Sequence, residues 1–441
     1  MNNQDLPERV LLLGAIDHEG ILSAIKGSGR EYIRKILHSK IENWDTILDL
    51  FEEYNIEAVL GKFTRKTYEF LADPEYSDVV DKLFKALDGC PHVIFVFEDL
   101  LAGNEDHDPF MRHIYKPLSS KDIIGVNERL TESGLQVLPY KTKAEVTVSA
   151  QHFLEGSEQG LLFRIYVPAK RLWAEEIDRV LILFRDYVGK VWQAPIRLDQ
   201  VRTSQGVIYA FHGDKVLAKE DFSSRLNDFS HFMDLAARDP SAAEEFLRHT
   251  TADPTEIISI VTRYSKESRR LNLDMKQHRE AKVLALRHRL ESELVDAIPS
   301  SCDVNIIGRI VEACVPSVTS IPLLDAPASL DSIPTQLTCI PTDIHNQIEQ
   351  RLVELVNEEV FGTIEWSDQD RQLIELFKKH GGKDNIALMS SLHELRDHSV
   401  PPSARVTAGQ RIKGFLLKVG GKVGDTSLVI LQEYIKSKLG I

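Results

Sequence analysis

Carboxylates at the ends of strand-like runs are the first residues in this chain that could do chemistry. One apolar run, Arg9 to Ile16, leads into Asp17-His18-Glu19, and another, beginning at His92, leads into Glu98-Asp99. In open parallel sheets ligands bind outside the carboxyl ends of the strands, near the point where strand order reverses. If the two strands are neighbours, Asp17, Glu19, Glu98 and Asp99 converge on one site. Asp17, Glu98 and Asp99 would then offer the oxygen ligands that suit Mg²⁺, and the metal would support phosphoryl or phosphodiester chemistry. The competing account is plain: strand ends carry acids because they reach water.

A second cluster, Asn104-Glu105-Asp106-His107-Asp108 followed by His113, is rich in potential ligands. Its spacing matches no zinc signature, and Pro109 suits a surface loop. Gly27-Ser28-Gly29 follows the first strand only after some ten residues and forms no G-x-G-x-x-G. No Walker loop, G-x-S-x-G elbow or H-E-x-x-H follows elsewhere, so no nucleotide-cofactor site, serine hydrolase or metalloprotease is indicated.

The order strand, helix, strand, helix, strand over the first 150 residues resembles the small flavodoxin-like sheet of TIR-type signalling domains. HVIFVFEDL (His92–Leu100) looks like their central strand. That resemblance implies a nucleotide-cleaving signalling enzyme whose catalytic carboxylate lies after this strand, where Glu105 is the nearest residue.

The other chemistry-bearing stretch is basic. Arg263, Lys266, Arg269, Arg270, Lys276, Arg279 and Lys282 are interrupted by few acids and are followed by Arg287 and Arg289. Apolar residues at 257, 261, 264, 271, 275, 283, 286, 290 and 294 recur mostly three and four apart, a coiled-coil-like seam. One reading is a dimerising or domain-bridging helix with a solvated outer face. The other is an electrostatic footprint for nucleic acid or an acidic surface. The acidic first 150 residues of the same chain would compete for that footprint.

These residues need elements to hold them. Apolar runs at Arg9–Ile16, Ile56–Phe63, His92–Glu98 and Leu135–Tyr140 read as buried parallel strands, with helical patterns at about Arg30–Tyr54 and Tyr76–Leu87 between them. Residues 1–150 are therefore expected to form an α/β three-layer domain, Rossmann-like or flavodoxin-like. Residues 151–221 read as a small α+β domain. It comprises an alternating strand (Phe163, Ile165, Val167), a helix through Trp173, Ile177, Val180, Leu181 and Phe184, and two returning strands. Its charged residues, Lys170, Arg171, Glu175 and Glu176 among them, fit a solvated helix face, which makes this stretch a packing hub. From Phe222 onward only helices are expected. Residues 222–298 contain one long basic helix starting at Asp253-Pro254-Thr255-Glu256, residues 299–341 hold six of the chain's 18 prolines and read as a linker, and residues 342–441 form a helical domain.

Composition narrows the class of protein. The chain has 441 residues, 43% of them hydrophobic and 27% charged, so it can bury several cores. No apolar run approaches the roughly 18 residues that span a bilayer, and the first residues lack the order of a signal peptide. Cys90, Cys302, Cys314 and Cys339 form no CxxC pair. A cytoplasmic location without membrane contact is expected. A net charge of −14 argues against a chain-wide nucleic-acid surface but not against a local one. The expected function is that of a multidomain signalling or interaction protein: its α/β domain binds a ligand or partner, and its helical half mediates assembly through self-association or another protein. The alternatives are the Mg²⁺-dependent enzyme on phosphate esters or nucleic acid and the TIR-like enzyme.

Overall fold

The computed structural model describes residues 6–16, 19–103, 118–193, 195–213, 222–250, 253–294 and 366–419, with scattered residues among 308–362 and 431–438. Two compact units emerge, each assembled from separate stretches of chain: residues 1–162, 212–221 and 391–441 in one, residues 163–211 and 222–390 in the other.

The first unit is built on five parallel strands: β1 (Glu8–Gly14), β2 (Tyr32–Lys35), β3 (Asn55–Phe63), β4 (His92–Phe97) and β5 (Val137–Tyr140). Their order is β2-β1-β3-β4-β5, the flavodoxin-like winding. The central strands are apolar at successive positions because both faces are covered. Leu11 and Leu13 of β1 face one core with Trp44, Phe63, Tyr68, Phe84 and Ile94. Val10 and Leu12 face the other with Ile21, Phe95 and Val146. Helices α2 (Ile41–Glu53), α3 (Arg65–Leu71), α4 (Ser77–Asp88) and α6 (Ser120–Glu132) contribute to the first core. The second is closed by α1 (Glu19–Gly27) and α7 (Lys143–Glu158). The short α5 (Glu98–Leu101) follows β4 directly.

One expectation fails here. The stretch from Arg30 is not helical from its start: Tyr32–Lys35 is β2, an edge strand paired in parallel with β1 through Leu11↔Ile33. Ile33, Ile36 and Leu37 satisfy a helical period as well as a strand's, and only the open edge of β1 selects the strand. The four-residue strand is too short to show its own alternation.

The second unit combines a small antiparallel sheet with helices. Strands β6 (Leu161–Pro168), β7 (Ile196–Arg202) and β8 (Gly206–Gly213) lie in the order β6-β8-β7. Helix α8 (Ala174–Val191) is followed along the chain by α9 (Phe222–Arg238), α10 (Pro240–Arg248) and α11 (Ile257–Leu294). Aromatic rings knit them together: Tyr187 meets Phe229 and Phe232 at 5.1 Å each, and Tyr264 stands edge-on to Tyr187 at 5.9 Å. The described part of α11 has 38 residues, a length of about 57 Å at 1.5 Å per residue. Asp253 accepts from the Thr255 amide in the turn before it. Further on come α12 (Asp368–His380), α13 (Asn385–Arg396) and α14 (Pro402–Val419), with Gly381 and Pro401 at the breaks. Nearly all of the proline-rich stretch 299–341 lies outside the described residues.

Helix α14 belongs to the first unit. It packs on α7, β5 and α5. Gly414 lets it approach closely, since a Cβ there would stand 3.2 Å from Pro139. The buried hydroxyl of Ser149 on α7 donates to Gln410 at 2.5 Å.

Candidate functional sites

The sheet's switch point lies between β1 and β3, because β1 is followed by β2 on one side and by β3 on the other. Gly14 ends β1 there with φ +77°, and a Cβ on it would stand 2.4 Å from the Lys62 carbonyl oxygen. Only glycine tolerates both conditions. Lys62, nearly buried, holds its ammonium 4.9 Å from the centre of the Tyr140 ring.

The two strands that lead into the acidic residues are not the neighbours that the expected convergence requires. β3 runs between β1 and β4, so their ends are two strand spacings apart, about 10 Å. Glu19 is exposed at the start of α1, while Glu98 and Asp99 open α5. Asp17 and Glu105 lie outside the described residues, as does the cluster from Asn104 to Asp108 with His113. Glu98 is already engaged: its carboxylate pairs with the Lys413 ammonium of α14, and both side chains are largely buried. Among the described residues no group of three or more His, Cys, Asp or Glu side chains is placed to hold a metal ion.

The basic helix is divided between two faces. Ile257, Val261, Tyr264, Leu271, Met275, Leu286 and Leu290 of the apolar seam are buried. The first part of that seam is covered by α8, α9 and α10 of the same unit. Four of its cations find carboxylates elsewhere in the unit: Arg263 pairs with Asp186 at 3.0 Å, Arg279 with Glu312 at 2.5 Å, Lys282 with Glu359 at 2.6 Å and Arg289 with Glu359 at 3.3 Å. Lys266, Arg269, Arg270 and Lys276 are exposed. Of these, Arg270 and Lys276 reach only in-helix carboxylates, at 4.0 Å, and Lys266 and Arg269 have no ion pair among the described residues. Leu273 and Leu284 stand out of the same outer side, 56% and 54% exposed. They are eleven residues apart, close to three full turns, and so share a face.

A third place lies where no sequence motif points. A cleft of about 400 Å³ opens where the start of α8 meets the middle of α11, lined by residues 169–176 with His278, Ala281, Lys282 and Ala285. Glu176 was expected on a solvated face, yet it is 4% exposed, and Arg171 is buried too. Burial follows from α11 crossing over the first turn of α8, which a helical period alone does not reveal. Glu176 Oε1 lies 2.8 Å from His278 Nδ1, and Oε2 is buried with no hydrogen-bond partner. Trp173, just before α8, is left-handed at φ 66°, a strain of about 1–3 kcal/mol for so bulky a residue. Its indole N–H donates to the Met275 carbonyl at 2.8 Å, which ties this corner to α11. The signal available in sequence was slight: two adjacent acids beginning a helix, and a histidine interrupting an apolar seam.

No protein-family model, curated protein or solved structure matches the chain. Among the described residues no helix is long and apolar enough to cross a membrane.

Proposed function

We propose that the protein is a multidomain interaction protein whose helical unit mediates assembly of copies of the chain through the outer face of α11. One observation carries this reading: Lys266, Arg269, Arg270 and Lys276 stand exposed without a tertiary ion pair beside Leu273 and Leu284, while the opposite face of the helix is buried. Arginines and lysines interleaved with exposed leucines suit a protein surface better than a phosphate backbone, which offers nothing to the leucines. A net charge of −14 means that each copy also presents acidic surface to receive those cations. The α/β unit would contribute ligand or partner binding at the β1/β3 switch point. The Mg²⁺-dependent reading is disfavoured because Glu98 is neutralised by Lys413 and β3 separates β1 from β4.

Light scattering on the full chain at micromolar concentration tests this. Wild type is expected above monomer mass at about 50 mM salt and to dissociate as salt shortens the screening length. The variant K266E/R269E/R270E/K276E is expected to remain folded and monomeric. A wild type that is strictly monomeric at low salt overturns the proposal. Salt-sensitive RNA or DNA binding lost in the same variant would put nucleic acid in the partner's place.

A further inference from the structure

The cleft between α8 and α11 holds two unmet electrostatic demands of opposite sign. The first is the buried carboxylate of Glu176, whose Oε2 has no donor. A buried charged acceptor left without a donor is more destabilising than a neutral one. A charge-assisted N–H would satisfy it best. The second is cationic. Lys170 lines the cleft and makes no hydrogen bond among the described residues, although it feels Glu359 at longer range. Beside it begins the 18-residue helix α8, whose N-cap, Trp173, provides no side-chain cap. The first turn of that helix already carries Glu175 and Glu176, which offset its dipole, so the cationic demand rests on Lys170. Lys282, on the same wall, is balanced by Glu359 and adds little net charge.

We infer that this cleft binds a small zwitterion, a free α-amino acid, with its ammonium on Glu176 and its anionic group at Lys170. A simple anion would leave Glu176 unanswered, and a simple amine would leave Lys170 unanswered. The volume, about 400 Å³, is at the lower end of the range for ligand pockets and suits a molecule of this size. Ala169, Ala174, Ala281 and Ala285 leave the space open, and the Trp173–Met275 bond holds the wall. His278 covers the carboxylate from the solvent side, bonded through Nδ1 and with its side chain 51% exposed. A small swing of that half-free ring admits the ammonium to Glu176.

Calorimetry and thermal shift on the full chain decide the matter. The probes are the twenty free amino acids, each matched with the amine lacking its carboxylate and the acid lacking its amine. At least one amino acid is expected to bind at about 1 mM or tighter, with both matched fragments at least tenfold weaker. E176Q should weaken that amino acid at least tenfold, and K170A several-fold. Binding of none of the twenty overturns the inference, as does equal binding by E176Q or by a single-charge fragment. Should E176Q fail to fold, carbethoxylation of His278 in wild type replaces it. The bound amino acid is expected to slow that reaction at least several-fold, and an unchanged rate refutes the site.

Discussion

Two corners of the molecule, one in each unit, treat their charges in opposite ways. At the carboxyl edge of the parallel sheet, Glu98 is matched by Lys413 from a helix 315 residues away in sequence. Where α8 meets α11, Glu176 keeps one oxygen without a donor, Trp173 sits in a strained backbone region, and several cations of α11 face outward. Polar groups that are mutually satisfied specify a fold; groups left unsatisfied, or held under strain, are where a molecule has capacity to bind. The contrast turns attention from the sheet edge, where the carboxylates drew it, to the second unit.

The largest effect is expected at Lys413. Removing one partner of a buried pair leaves the other charge uncompensated, so Lys413→Ala should lower the stability of the first unit by about 3–5 kcal/mol. Denaturant melts check this, and the double variant K413M/E98Q should recover much of the loss. If Lys413→Ala is neutral, the edge is not settled in the way described.

Gly14→Ala comes next. The added Cβ meets the Lys62 carbonyl oxygen at 2.4 Å, at a φ of +77°, so a loss of about 2–3 kcal/mol is expected from strain at the switch point. Gly27→Ala is the control, because nothing lies within 4 Å of a Cβ there.

His92 makes the stability of the first unit depend on pH. Its Nε2 accepts the Gln136 amide at 2.9 Å, so Nδ1 carries the proton given to the Cys90 carbonyl. Burial pushes its pKa below the ordinary histidine value, although the Cys90 carbonyl and Asp88 act in the other direction. As pH falls through the unfolded value of about 6.5, the unfolded chain gains a proton that the folded chain refuses. Stability is therefore expected to fall from pH 7 toward pH 5, by at most about 1.4 kcal/mol per pH unit from this residue. Urea melts of wild type and His92→Gln across that range should differ in slope; parallel curves would refute the assignment.

The smallest expected effect is Trp173→Phe. It removes the indole bond to Met275 while retaining most of the ring, a loss of about 1 kcal/mol. Because the cleft wall loosens, the same variant should weaken amino-acid binding by more than it weakens the fold.

Much of the architecture was legible in the chain. β1, β3 and β4 announce themselves as apolar runs because each is buried on both faces, and α4 does so because one stripe faces a core. The seam of α11 was legible too, but not what covers it. Periodicity marks a buried face without naming its partner, and here the first part of that partner is α8, α9 and α10 of the same chain. β2 was hidden because four residues at a sheet edge carry no period of their own.

By itself, then, the sequence determined local order: which runs are strands, which are helices, and where long stretches of charge fall. These follow from nearest neighbours and side-chain period. The tertiary structure alone decided that β3 separates β1 from β4, that α14 returns to neutralise Glu98, and that α11 buries Glu176. Each depends on crossovers or packing between residues remote in sequence, and a charged side chain looks the same in the chain whether water or a protein wall will surround it.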